Sequence, residues 1–178
     1  MEPVLRYILR WPSVETWFAH NAWAWPLCEV SHFVGIILLV GIVGMFDLRL
    51  LGFAKSVPIS SLRRLLPWAV LGSVLAFVSG LLFVMGVYAN VEIHPYIILV
   101  SNIYLQLKLI CLAILGLNLA AFYVTGMSRA VDDLGPGQDA PAGAKVIGAV
   151  SLFFWLATIY VGRLIVWGKL TPGLTPEG

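Results

Sequence analysis

Four stretches of this chain, 26–51, 67–88, 102–125 and 146–167, are each apolar enough and long enough to cross a bilayer. A helix needs about 20 such residues to span roughly 30 Å of hydrocarbon. Lipid offers no partner to an unpaired backbone N–H or C=O, so spans of this kind are helical. Little is left over for anything else. The chain is 60% hydrophobic and 11% charged, with a mean hydropathy of +0.93. Soluble domains carry about 25% charged residues, so a water-facing surface cannot be built from this supply. The expected fold is all-α, a transmembrane four-helix bundle, with residues 1–178 forming a single integral membrane domain. A net charge of +2 is too small and too dispersed for a nucleic-acid partner. The expected partners are the lipid bilayer and other membrane protein subunits.

Direction follows from the basic residues, which concentrate in cytoplasmic connections. Arg49, Lys55, Arg63, Arg64, Arg129 and Lys145 lie around the first and third connections, while Arg6, Arg10 and Lys169 lie on the opposite side. This excess puts both termini outside. The first residues are broken by Pro3, Pro12, Glu15 and Asn21, unlike a cleaved signal peptide, and read as mature protein. Trp11, Trp17, Trp23 and Trp25 make 1–25 an interfacial segment of one or two short helices, with Ser13 a candidate cap for the second. The Gly-, Pro- and Asp-rich connection from Met127 to Ala144 reads as flexible. Cys28 and Cys111 sit at different levels of their helices, which argues against a disulfide. Gly72, Ala76 and Gly80 recur every four residues on one face of the second span, a pattern that lets a neighbouring backbone approach.

Ionisable groups inside a membrane cost at least a few kcal/mol each and mark functional sites by default. Away from the span ends there are four: Glu29, His32, Lys108 and Arg163. At 1.5 Å per residue they fall at one level, roughly 5 to 9 Å from the outer ends of their helices. Glu29 and His32, three apart, share a face, as do Tyr104 and Lys108, four apart. A pocket of Glu29, His32, Tyr104, Lys108 and Arg163 would combine a ligand or proton carrier, an acid and two cations. The competing explanation is mutual neutralisation, with Lys108 and Arg163 reaching toward the headgroups. At the opposite end, Asp47 and Arg49 in FDLRLLG read as an anchor in which Asp47 pairs with Arg49, Arg63 or Arg64.

A b-type haem would use histidine as an axial ligand and cations for its propionates. The histidines are His20, His32 and His94, and only His32 lies in a span. A His32–His94 pair on one side of the membrane is the candidate metal-ligand set. A lone intramembrane histidine equally suits hydrogen bonding to a quinone headgroup. Copper transport is weakly supported, since Met45, Met85 and Met127 are not at the depth of His32 and no Cys-x-x-Cys pattern exists.

The E-x-x-H of Glu29 and His32, Gly35, FDLRLLG from Phe46 to Gly52, LLPW ending at Trp68, Gly80, Lys108, GLN ending at Asn118, Trp155 and Gly162–Arg163 resemble a bacterial family of small four-span proteins. That family is distantly similar to the membrane domain of copper-resistance protein D. The resemblance implies a four-helix bundle in the bacterial inner membrane and supplies no activity. Family members often carry a histidine after the Leu-Asn of the third span. This chain has Phe122 and Tyr123 there, so any haem ligand at that place in relatives is missing here.

Two functional classes follow. One is a redox or electron-transfer membrane subunit with a cofactor or quinone site near the outer face. The other is a cofactor-free accessory subunit packed against a larger respiratory or photosynthetic complex. No nucleophile–base pair, phosphate loop or zinc motif indicates a self-contained enzyme.

Overall fold

The computed structural model describes residues 10–91 and 94–168. Every regular element among them is helical. In chain order these are α1 (Pro12–His20), α2 (Ala24–Leu51), α3 (Ile59–Arg63), α4 (Leu66–Val91), α5 (Pro95–Ser101), α6 (Ile103–Val124), α7 (Met127–Asp132) and α8 (Ala142–Leu164), followed by a 3₁₀ turn at Ile165–Trp167. The long helices α2, α4, α6 and α8 are apolar and long enough to cross a membrane, and the chain is a multi-pass membrane protein. They begin and end within a few residues of the expected spans. The connections are more ordered than their composition suggests, because α3, α5 and α7 occupy them.

The helices are stacked in the order α4, α2, α8, α6, as two hairpins joined through α2 and α8. The bundle is therefore open: α4 and α6 lie at its two sides and, among the described residues, do not pack on each other. Glycine sets the closeness of the first hairpin. A Cβ on Gly35 would stand 2.6 Å from the Ala76 nitrogen and 2.7 Å from the Gly72 carbonyl oxygen, so the two backbones touch where the small-residue face predicts. The hairpins meet near the C-terminal end of α2, where Gly148 of α8 sits against Asp47 and Leu50.

At that end, called here the Arg49 end, Leu50, Ile59, Phe122, Val131, Ala140 and Ala144 form a buried cluster. Arg49 is fully buried beside it. Its guanidinium donates to the carbonyls of Val57 at 2.7 Å, Gly135 at 3.1 Å and Gln138 at 3.2 Å. Asp139 accepts from Lys55 at 2.9 Å and Lys145 at 3.1 Å, and the Gly137 N–H donates to the Lys55 carbonyl at 2.8 Å. The third connection is thus tied to the first rather than loose, because Arg49 and Asp139 collect its backbone and its charges.

The expected pairing of Asp47 with an arginine is not formed. Arg49 is committed to carbonyls, and Arg63 bonds Asp132 and Ser128 from α7. Asp47 lies between helices facing Ser151 instead.

At the opposite end, the His32 end, α1 folds against α4 with Phe18 seated over Gly86. Phe18, Ala24 and Cys28 form its core with Trp25, Leu82 and Phe83 packed around them. Trp11, Trp17 and Trp23 stay exposed on this segment. Trp11 takes the N-cap position and Pro12 the first turn, so Ser13 is inside the helix and does not cap it. A helix before α1 would fall on residues 1–9, outside the described part.

Candidate functional site

His32 lies one turn after Cys28 and just before Gly35 on the face of α2 that packs on α4. Gly80 makes room for its ring: a Cβ there would be 3.3 Å from His32 Cε1. Phe83, one turn further along α4, meets the imidazole edge-on at 5.6 Å. Ser79 fixes the ring's orientation. Its hydroxyl donates to the Leu75 carbonyl at 2.5 Å, which leaves the oxygen to accept from His32 Nδ1 at 2.9 Å. The Ala76 carbonyl is a second acceptor beside the same ring. The neighbour of Nδ1 is an acceptor, so a neutral His32 carries its proton on Nδ1 and keeps a lone pair on Nε2.

Lys108 comes from α6, at the other side of the row, yet its charge acts on His32. Its path crosses α8 at Gly162, where a Cβ would be 3.6 Å from Lys108 Cδ and Nζ. No carboxylate pairs with Lys108 among the described residues; the ion pairs are Arg10–Glu15, Lys55–Asp139, Arg63–Asp132 and Lys145–Asp139. One turn before Gly162 on α8, Thr158 is buried, and its hydroxyl has no hydrogen-bond partner.

Of the five residues expected to share a pocket, His32 and Lys108 are brought within electrostatic reach of each other. Tyr104 is half-buried on the Lys108 face of α6. Glu29 and Arg163 are both exposed on their helices, and among the described residues Glu29 forms an ion pair with neither Lys108 nor Arg163. A helical face is about 100° wide. Glu29 precedes His32 by three residues and falls outside the strip that α4 covers.

His94 precedes α5 with its ring tilted against Tyr96 at 6.1 Å, and His20 bonds the Thr16 carbonyl at 2.8 Å from an exposed position on α1. Neither imidazole is in ring contact with His32. A haem would find one axial donor in His32 Nε2 and one propionate partner in Lys108. Among the described residues no group of three or more His, Cys, Asp or Glu side chains gathers as a metal site.

Beside the site lies a cleft of about 160 Å³ between α1, α2 and α4, walled mainly by Trp17, Leu27, Val78 and Leu82. Cys28 and Ser79 line it too, and Cys28 Sγ donates to the Ser79 carbonyl at 3.3 Å. Ser79 thus belongs to both the cleft and the imidazole's anchor.

Ser79, Thr158 and the notch at Gly162 were not legible as parts of the site. Serine and threonine in a span most often bond their own helix, and nothing local says otherwise. The signal that was available for Ser79 is its place beside Gly80, on the small-residue face of α4. Compared with protein families, with curated proteins and with solved structures, the chain matches none.

Proposed function

We propose that this chain is a redox-associated subunit of a bacterial inner membrane, both termini outside, whose His32–Lys108 site holds the polar head of a quinone-type ligand. The observation that carries the reading is the imidazole inside a membrane helix. Ser79 occupies its Nδ1 side, which leaves Nε2 as an acceptor. A quinol hydroxyl donates to that nitrogen, and the Lys108 ammonium donates to an oxygen of the head. The apolar cleft at Ser79 adds a place for part of a lipid-soluble ligand next to the polar groups. At about 160 Å³ it is smaller than the roughly 300–1,000 Å³ of complete ligand pockets, which suits a tail segment more than a whole macrocycle.

The test is a titration of the purified protein in mild detergent with a short-tailed quinol, followed by tryptophan quenching. Trp25 packs on Phe83, which packs on His32, so a reporter is in place. Saturable quenching that is lost in His32→Ala supports the site. Quenching that is absent, or identical in His32→Ala, removes it. A reduced-minus-oxidised visible spectrum on the same sample separates this reading from a b-type haem.

A cofactor-free accessory subunit is the second reading, favoured by the open row of helices, which among the described residues leaves α4 and α6 each with a long helix packed on one side only. Co-purification of a stoichiometric membrane partner, with no quinol binding, decides for it.

A further inference from the structure

We infer that the head bound between His32 and Lys108 carries an ionised oxygen, and that Lys108 selects for it. The inference rests on the quinone reading above and adds the charge of the ligand. A lysine in a membrane helix is costly unless an anion or the headgroup water compensates it. Among the described residues no acid does so: Lys108 forms no ion pair or hydrogen bond there, and Glu29 is exposed on α2.

The cation is also positioned. Its stem lies over Gly162, in space that any longer side chain at 162 would take, and its charge is brought to act on His32 across α8. Thr158, on the same face of α8 one turn away, holds a buried hydroxyl with no partner and is a further donor at this level. The groups available to a ligand at this level are therefore one cation, one neutral hydroxyl and one imidazole whose free nitrogen accepts. That set matches a head with one ionised oxygen, held by Lys108, and one hydroxyl, donated to His32 Nε2. A head with neutral carbonyls only would leave the lysine uncompensated and give the imidazole lone pair nothing to accept.

The experiment compares two short-tailed naphthoquinones, each with a hydroxyl on the benzenoid ring to donate to His32, on the purified protein in a detergent without anionic lipid, by the same tryptophan quenching. One carries in addition a hydroxyl on the quinone ring, a vinylogous acid that is ionised at neutral pH; the other is the methyl ether of that hydroxyl. A charge-assisted hydrogen bond predicts at least about tenfold tighter binding of the ionised compound. Lys108→Met removes the preference between the two compounds; Lys108→Arg keeps it. Gly162→Leu, which fills the notch and leaves the lysine in the chain, also reduces it. Equal affinity of the two compounds for the wild type overturns the inference and leaves the quinone reading standing. A preference that survives in Lys108→Met overturns it as well. Failure of both compounds to bind the wild type brings down the quinone reading, and this inference with it. A helical circular-dichroism spectrum and a size-exclusion elution like those of the wild type show the Lys108→Met variant to be folded. If it does not fold, Lys108→Arg and Gly162→Leu carry the decision.

Discussion

Gly35 and Gly72 meet backbone to backbone across the first hairpin: a Cβ on Gly72 would stand 2.7 Å from the Gly35 carbonyl oxygen and 2.7 Å from the Leu39 nitrogen. Such an approach is available only to residues without a side chain. It brings the two helix backbones together just below the level where His32 meets Ser79. Loosening it would act on the site as well as on the fold.

The first prediction follows directly. Gly35→Ala or Gly72→Ala forces the helices apart, at a cost of about 1–3 kcal/mol for overpacking, and lowers the thermal midpoint in detergent. Gly41→Ala is the control, since a Cβ there meets nothing within 4 Å. Equal midpoints for Gly35→Ala and Gly41→Ala would contradict the packing described.

Arg49 holds the connections together through three carbonyls. Arg49→Met leaves those acceptors without their donor and should cost roughly 3 kcal/mol. Arg49→Lys keeps the charge, loses the planar fork and should fall between. Thermal denaturation checks the order, and limited proteolysis between residues 133 and 141 should accelerate in the same order.

Asp139 supplies a pH dependence. Its hydrogen bonds to Lys55 and then Lys145 hold its carboxyl below the ordinary value of 3.8. Folding therefore depresses this pKa, so the stabilisation is fully present above the unfolded value and is lost as the pH falls through the folded one. Proteolytic cutting of the third connection should be flat down to about pH 4 and rise below it. Asp139→Asn should be cut faster at neutral pH and show no such rise. The same fast cutting in high salt is expected, because the cluster is exposed and screened.

Ser79 positions His32 without touching the proposed head. Ser79→Ala removes one hydrogen bond worth ~1 kcal/mol, and quinol affinity should drop about fivefold, while Ser79→Thr, which keeps the hydroxyl, should restore most of it. An unchanged affinity in Ser79→Ala would remove serine from the site.

Asn102 joins two helices at the His32 end. Its Oδ1 accepts from the Tyr104 and Leu105 N–H groups at 3.1 Å, capping α6, and its Nδ2 donates to the Ile165 carbonyl at 2.9 Å. Asn102→Ala loses both functions, about 2 kcal/mol together, whereas Asn102→Asp keeps the cap and loses the donor. The midpoints should rank wild type, Asp, Ala.

The sequence by itself determined the four spans, their helical state and the close packing of the second span. The reason is that lipid imposes one rule on every residue of a segment, so 20 apolar positions in a row already carry the answer. It also singled out His32 and Lys108, because an ionisable group in hydrocarbon stands out wherever its partners are. What it could not determine is which of the embedded groups face each other. Glu29 and His32 are only three residues apart, yet Glu29 is exposed while His32 packs on α4. The order in which the helices stack is likewise a matter of the whole fold. Lys108 lies over Gly162 of α8, the helix that stands between its own helix and that of His32. Asp47 and Arg49 make the same point at the other end. They look like a local pair, and the fold sends the arginine to three carbonyls of distant connections and leaves the aspartate facing Ser151. Local pattern reports how much each residue dislikes lipid or water. Pairing across helices depends on rotation and stacking order, which are settled only when all the contacts form together.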